Sequence, residues 1–433
     1  MVQKMRKMKD SGIEWIGEIP EGWSIARGKH ILTLLQRAVF PTDGVITCFR
    51  DGEVTLRSNR REDGFTVSLK EIGYQGIEPG DLVVHGMDGF AGSIGISDSR
   101  GKSSPVLVVL DSSQDKKYLM YYLRSMAYNN VFLALSTGIR VRSCDLKWNK
   151  LADLLYLVPP IVEQHKLVSF LDEKCSEIDA MLSKTRASIE EYKKLKQAII
   201  TQAVTKGVRG EREMKDSGVE WIGKIPKYWN IGKLKYYWIS VESGVSVNAA
   251  DRPIDNPAQY GVLKTSSVSK FIFNPHEHKQ VNNDEYSRVT CPVTADCIIV
   301  SRMNTPDLVG ACGYVEKTYP NLFLPDRLWQ ISFKNDVSAK FIWYYLNNKM
   351  VRSYISSLST GTSSTMQNIS QGQFGNISVC LPDSNEQKEI ADYLDAKCAE
   401  IDGLITRKEQ LVKELESYKK SLIYEVVTGK REV

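Results

Sequence analysis

No stretch of this chain approaches the eighteen or so consecutive apolar residues that a membrane-spanning helix needs, which argues against a transmembrane protein. The basic N-terminus MVQKMRKMKDSG is followed by no apolar core, so it does not read as a signal peptide. The eight cysteines are scattered without a CxxC pair, which speaks against a zinc site and for a reduced, cytoplasmic protein with free thiols. Histidine is scarce, with His30, His85, His165, His276 and His278 making five and no HExxH among them. His276-Glu277-His278 is a weak metal hint that reads better as a solvent-exposed loop.

Catalytic motifs are missing as well. Gly101-Lys102-Ser103 would need glycine at position 96 to form a phosphate loop, and Ile96 stands there. The glycines of GFAGSIG (89–95) are wrongly spaced for a dinucleotide loop and fit a turn between strands. Val158-Pro159-Pro160-Ile161 lacks the Asp or Asn before Pro-Pro, and the aromatic after it, that an amino-methyltransferase uses to hold its target amine. PDSNEQK (382–388) is too compact for a nuclease PD…ExK site. With no self-sufficient constellation for methyl transfer, phosphate hydrolysis or strand cleavage, the expectation is a non-enzyme.

What is present is an ordinary globular composition, 42% hydrophobic and 25% charged, over 433 residues, too long for one core and consistent with two to four domains. The formal charge of +5 permits a polyanionic partner without requiring one.

The chain also repeats itself. MKDSGIEWIGEIPEGW (8–23) recurs as MKDSGVEWIGKIPKYW (214–229), identical at twelve of sixteen positions with an offset of 206. A second similarity, at an offset of 223, matches Tyr121-Tyr122-Leu123 with Tyr344-Tyr345-Leu346. It continues through Leu135-Ser136-Thr137-Gly138 and Leu358-Ser359-Thr360-Gly361, through LDEKCSEID (171–179) and LDAKCAEID (394–402), to Val204-Thr205 and Val427-Thr428. Between Ser24 and about Asp115 the halves show no convincing similarity. Each half therefore has a shared opening, a divergent middle and a shared close, as expected if two alike frames carry inserts with different targets. Trp15, Trp23, Trp221 and Trp229 of the opening phrases read as packing anchors.

The closing segments read as long helices. Residues 161–205 hold no Pro or Gly, and 384–428 hold only Gly403. Pro159-Pro160 and Pro382 precede them, and Gly207 and Gly429 follow. At ~1.5 Å per residue each is a rod of roughly 66 Å. A seam with alternating steps of four and three runs through Leu171, Cys175, Ile178, Leu182, Thr185, Ile189, Tyr192, Lys196, Ile199 and Ala203. Its counterpart is Leu394, Cys398, Ile401, Ile405, Lys408, Val412, Leu415, Lys419, Leu422 and Val426. That period belongs to coiled coils, and each helix is the economical partner for the other. Residues 163–179 hold five acids and two bases, whereas 184–206 hold six bases and two acids. Residues 386–402 hold six acids and two bases, against six bases and four acids over 407–430. Antiparallel pairing sets acid beside base, a weak but consistent preference. The expectation is a rigid ruler with a different head at each end.

Both middles read as mixed α and β, with strand candidates at 81–86, 105–110, 296–301 and 328–333 and helix candidates at 116–128 and 338–351. The first carries Arg57, Arg60 and Arg61, then Arg140, Arg142, Lys147 and Lys150 in the segment opened by Gly138. At the equivalent place the second has Ser363 and Thr365 for Arg140 and Arg142, followed by Gln367, Asn368, Gln371 and Gln373. Lys264 and Arg302 are further basic candidates in the second middle. Arg reads guanine edges and phosphates, while Asn and Gln read adenine edges. Different sets of these side chains suit two heads reading different DNA sequences, although each residue taken singly reads more readily as an ordinary solvated loop residue.

Taken together, the two opening phrases, VPPIVEQHKLVSFLDEKCSEID, CLPDSNEQKEIADYLDAKCAEID and the ends AVTKGV and VVTGKR make the chain resemble, over essentially its full length, the specificity (S) subunits of type I restriction-modification enzymes. The resemblance implies an α+β fold with two pseudo-repeated target recognition domains, joined by two long helices in an antiparallel coiled coil. The expected organisation is a first recognition domain over 1–158, a central helix over 159–206, a linker over 207–213, a second recognition domain over 214–382 and a C-terminal helix over 383–430. It further implies that each domain binds one half of a split, asymmetric site in double-stranded DNA, and that the helices fix the gap and dock two modification (M) subunits. No cofactor is expected in this chain: S-adenosylmethionine belongs to the M subunits, and ATP and Mg to the restriction (R) subunits of the full complex. The alternatives are a coiled-coil adaptor with protein-binding heads and a fused methyltransferase–specificity enzyme, the latter disfavoured by the missing methyltransferase motifs.

Overall fold

The run free of proline and glycine folds as one helix. In chain order the main helices are α1 (Lys116–Tyr128), α2 (Ile161–Lys206), α3 (Ala339–Leu346), α4 (Lys349–Leu358) and α5 (Ser384–Val427). The structure, a computed structural model, describes residues 6–60, 71–134, 146–363 and 366–433. It divides into a first unit of Met1–Arg186 with Glu409–Val433 and a second of Ala187–Lys408. Each unit thus contains one divergent middle, part of α2 and part of α5.

α5 ends at Val427, and Gly429 just beyond it adopts a φ of +71°, as a glycine helix stop does. One helix boundary differs from expectation. The single helix expected over 338–351 is two, α3 and α4. Asn348 separates them, accepting from Met350 N at 2.8 Å as the cap of α4 and donating to Thr201 Oγ1 at 2.9 Å.

In the first unit the strands that matter are β1 (Ser24–Arg27), β2 (Leu32–Leu34), β3 (Ile46–Cys48), β4 (Val54–Leu56), β5 (Leu82–His85), β6 (Ile94–Ile96), β7 (Leu107–Ser112) and β8 (Leu155–Val158). β2, β7, β5 and β6 form an antiparallel sheet in that order. One face, with Leu82, Val84 and Leu110, packs on Tyr118, Leu119 and Tyr122 of α1 and joins Leu171, Ile178, Leu182, Leu422 and Val426 of the long helices. The other face, with Val83 and Val109, meets Ile46, Cys48 and Val54 of the β3–β4 hairpin. Burial on both faces is why these strands read as continuous apolar runs without alternation.

The second unit repeats the plan. Its strands are β9 (Asn230–Lys233), β10 (Trp238–Ser243), β11 (Cys297–Ser301), β12 (Met303–Asn304), β13 (Cys312–Val315), β14 (Leu328–Phe333), β15 (Thr360–Ser363), β16 (Met366–Asn368) and β17 (Ser378–Leu381). β10, β14, β11 and β13 form the matching antiparallel sheet. Ile298, Val300 and Ile331 pack on Phe341 and Tyr345 of α3 and on Leu394 of α5. Cys297, Ile299 and Leu328 face a separate cluster with Leu263, Val293 and Leu322, contributed by a five-stranded sheet that this unit adds. The two heads therefore share a sheet that the sequence comparison could not align, beside a helix that it did, Tyr121–Leu123 of α1 matching Tyr344–Leu346 of α3. The fold is α+β, and α2 and α5 pack together.

Each head is closed by a neck. β1 pairs antiparallel with β8, Ser24 opposite Val158 and Arg27 opposite Leu155. β9 pairs with β17, Asn230 opposite Leu381 and Lys233 opposite Ser378. The strand that follows the opening phrase and the strand that precedes the long helix lie side by side in both units.

Candidate nucleic-acid interface

The frame that carries the heads is built twice from the same atoms. In the first unit Tyr121 Oη donates to Asp172 Oδ1 at 2.8 Å and Lys117 Nζ reaches Oδ2 at 2.6 Å. In the second, Tyr344 Oη donates to Asp395 Oδ1 at 2.8 Å and Lys340 Nζ reaches Oδ2 at 2.5 Å. Burial first, and the adjoining carboxylate with it, pushes both phenols far above their ordinary range, so they stay protonated donors. Gln164 accepts from Asp115 N at 3.0 Å and donates to Pro159 O at 2.8 Å. Gln387 repeats this with Ser338 N at 2.8 Å and Pro382 O at 3.0 Å. Both glutamines are buried, and both tie the start of α1 or α3 to the start of a long helix.

The opening phrases are indeed anchors. In each, a short antiparallel ribbon closes on an Asp-Ser-Gly turn, where Asp10 and Asp216 accept from Gly12 N and Gly218 N at 2.9 Å. Trp23 and Trp229 are each 1% exposed. Arg6 lies over Trp23 and pairs with Glu163, and Arg212 lies over Trp229 and pairs with Glu386 at 2.6 Å. Tyr424 of α5 donates to Trp15 O at 3.1 Å, while the Trp221 ring stacks 5.3 Å from Tyr354. These phrases do structural work at the ends of the long helices.

Along α2 and α5, the seam residues Leu171, Ile178, Leu182, Ile189, Leu394, Ile401 and Leu422 are buried, and Ile199, Ile405, Val412 and Leu415 are partly buried. The lysines that interrupt the seam form crossing contacts, while Thr185 bonds back to Met181 O of its own helix at 2.7 Å. In the first unit Lys419 pairs with Asp179 at 2.7 Å and Arg186 with Glu416 at 2.6 Å. In the second, Lys196 pairs with Asp402 at 2.6 Å and Lys408 lies 5.7 Å from the Tyr192 ring centroid. In both units the partner number falls as the α2 number rises, so the pairing is antiparallel.

The candidate DNA-contacting residues do not form one cluster. In the first head Arg57 donates from Nε to Thr47 Oγ1 at 3.0 Å. Arg60 is held by Asp51 at 2.7 Å and Glu53 at 2.8 Å and lies 4.2 Å over Phe49, so the Asp51 bond raises its pKa and its charge is locally neutralised. Lys147 precedes the short helix Trp148–Asp153. Arg61, Arg140 and Arg142 lie outside the described residues. Sequence reading missed that Arg57 and Arg60 share a cleft of about 680 Å³ with Thr47, Arg50, His85 and Asp88. Within it His85 Nδ1 accepts from Asp88 N at 3.0 Å, and burial lowers the His85 pKa, which leaves a neutral imidazole with its proton on Nε2.

In the second head Lys264 pairs with Asp251 at 3.4 Å. Arg302 donates from Nε to Asp326 O at 2.8 Å, an anchoring contact. Gln367 and Asn368 lie in β16, and Ser363 ends β15. The side chain of Ser363, and Thr365 altogether, lie outside the described residues. His278 corrects the loop expected around His276-Glu277-His278. It is buried in the strand His278–Val281, where Nε2 accepts from Ile254 N at 3.0 Å and Nδ1 donates to Pro275 O at 2.7 Å, so neither nitrogen is open to a metal. Among the described residues no group of three metal-ligating side chains occurs, and no helix is long and apolar enough to cross a membrane.

Comparison with known proteins matches residues 259–414 to a family model described as the type I restriction modification DNA specificity domain. The chain is 21% identical over 440 residues to the EcoKI specificity subunit of Escherichia coli K12, covering 95% of this chain and 90% of that one. It is 25% identical over 173 residues to the Escherichia coli EcoEI specificity subunit, of which it spans 29%. A solved structure described as the basis of complex assembly and conformational transition of the type I R-M system matches with a TM-score of 0.71 at 13% identity, covering 95% of this chain and 99% of that one.

Proposed function

We propose that this chain, which belongs to the specificity subunits of type I restriction-modification enzymes, recognises a bipartite, asymmetric site in double-stranded DNA with one head per half-site. It is a non-catalytic subunit that serves sequence recognition. The recognition domains are assigned to 1–158 and 214–382, and the helices over 159–206 and 383–430 set the half-site spacing and dock two methyltransferase subunits. S-adenosylmethionine chemistry then resides in those partners, and ATP- and Mg-dependent cleavage in the restriction subunits of a cytoplasmic complex.

The observation that carries this reading is the repetition of the Tyr–Asp–Lys–Gln constellation at an offset of 223 beneath heads whose surfaces differ. A frame held to the atom, under inserts that share a sheet and little surface, is what two readers of different sequences require. Lys and Arg on phosphates would set register, and side chains on base edges would supply sequence information. The test is methylome sequencing of a host carrying this chain with its methyltransferase subunits and no other system. A motif of two unlike half-sites with a fixed unspecified spacer is expected, and one continuous motif or no motif would refute the assignment. Binding should also weaken steeply with salt as counterions are released.

A further inference from the structure

One small sheet of the second unit serves no core. β12, β16 and β15 form a three-stranded antiparallel ribbon in that order. The register of β12 and β16 puts Met303, Met366 and Asn368 on one face and Asn304 and Gln367 on the other. The unit's main core takes in Ile369 immediately afterwards and none of these residues. Met366 is 45% exposed, and Asn304 and Gln367 are half-exposed. Neither residue of the polar face belongs to an apolar cluster of this unit, so that face is suited to polar contacts.

The polar face sets two carboxamides side by side. Asn304 stands directly opposite Gln367 in the register of β12 and β16, which puts the two side chains on one face within about 5 Å at Cβ. The Asn304 amide is oriented: Oδ1 accepts from Thr305 N at 2.9 Å and Nδ2 donates to Ser301 Oγ at 3.3 Å. One acceptor lone pair and one N–H remain, the complement of adenine N6 and N7. Arg302 ties the ribbon down, its N donating to Arg327 O at 3.1 Å and its carbonyl accepting from Ile369 N at 3.0 Å. The neighbour this brings in, Arg327, is exposed and makes no ion pair with a described residue. A two-stranded antiparallel ribbon such as β12–β16 is an element that a DNA major groove admits.

We infer that the β12–β16 ribbon is the base-reading element of the second head, with Asn304 and Gln367 contacting an adenine edge in its half-site and Arg327 contacting a backbone phosphate beside it. This rests on the assignment of the chain as a DNA-recognition subunit and adds the residues that do the reading.

The test uses the full chain assembled with its methyltransferase subunits. Asn304→Ala and, as a second variant at a half-exposed position, Gln367→Ala should relax preference at an A·T position of one half-site by roughly tenfold or more. The other half-site and the spacer stay as they were. Arg327→Ala should weaken binding to all duplexes alike and reduce the slope of log K against log salt by about one. If both amide variants methylate the wild-type motif with unchanged base preference, or lose discrimination in both half-sites, the ribbon assignment is wrong. If the wild-type complex itself yields no bipartite motif, the recognition-subunit assignment falls with it, and the two failures are told apart by that control.

Discussion

Lys196 of α2 grips Asp402 of α5 at 2.6 Å, and its pseudo-equivalent Lys419 of α5 grips Asp179 of α2 at 2.7 Å. The two lysines interrupt the apolar seam at matching places, as Thr185 and Lys408 do at another. They cross the seam edge to reach a carboxylate on the opposite helix. These contacts help set the register of the pair, because sliding either helix by one turn separates both.

The lysines are about three-quarters buried and their partners half-exposed, so each pair should contribute modestly, ~0.5–1 kcal/mol. Lys196→Glu should lower the midpoint of denaturant unfolding, and adding Asp402→Lys should restore much of it. A double-mutant cycle gives the coupling energy. A coupling near zero would mean that direction and register are set by the apolar seam alone.

The apolar seam itself should be worth more. Leu171 and Leu394 are completely buried at equivalent positions. Truncation of either to Ala should cost about 2–5 kcal/mol through lost transfer energy and the cavity left behind. Val412→Ala, at a partly buried seam position, should cost less. Urea unfolding followed by far-UV circular dichroism measures both.

His85 predicts a pH dependence in the first head. Burial lowers its folded pKa below the ordinary 6.5, so the unfolded chain binds the proton more tightly. Stability is therefore intact above about 6.5 and is lost as pH falls through that value toward the lower folded pKa. Protonation also turns Nδ1 from acceptor to donor against Asp88 N. His85→Asn should flatten this part of the profile. Melting temperature recorded from pH 5 to 8 for both proteins checks the sign.

Length in the helices should translate into length in DNA. Inserting one turn, ~3.6 residues or in practice four, at matched places in α2 and α5 should change the methylated spacer while leaving both half-sites as they were. Changed half-site bases would rule out the ruler. Replacing Ser24–Leu157 with another such middle should change only one half-site, read by the same methylome measurement.

The frame was legible in the sequence because it depends on identity and period. The opening phrases align at twelve of sixteen positions, and the four-three seam and the acid-to-base gradient gave direction. The common sheet of the heads was not legible. Val83 and Ile298, or Val109 and Ile331, occupy the same sheet strands in the two units without any local identity. Any β-branched or large apolar side chain satisfies a strand buried on both faces. Asn304 was missed for a related reason: its importance lies in facing Gln367 across 63 residues of chain, and strand register is fixed by the surrounding sheet. The pairing of Arg60 with Asp51 and Glu53 was not foreseen, although both carboxylates lie nearby in sequence.

The paired necks have a genetic consequence. Ser24 lies opposite Val158 and Asn230 opposite Leu381, so each head leaves the frame at the spot where it enters. Two crossovers in a gene, distant in nucleotides, would fall at neighbouring points in the protein. A recombined segment then has to supply only a matching pair of four-residue strands at its two ends to be seated on the inherited frame. Exchange of whole heads between related genes requires no refitting of the joints below, where Asp172 and Asp395 wait for any helix that offers a tyrosine and a lysine at the right spacing.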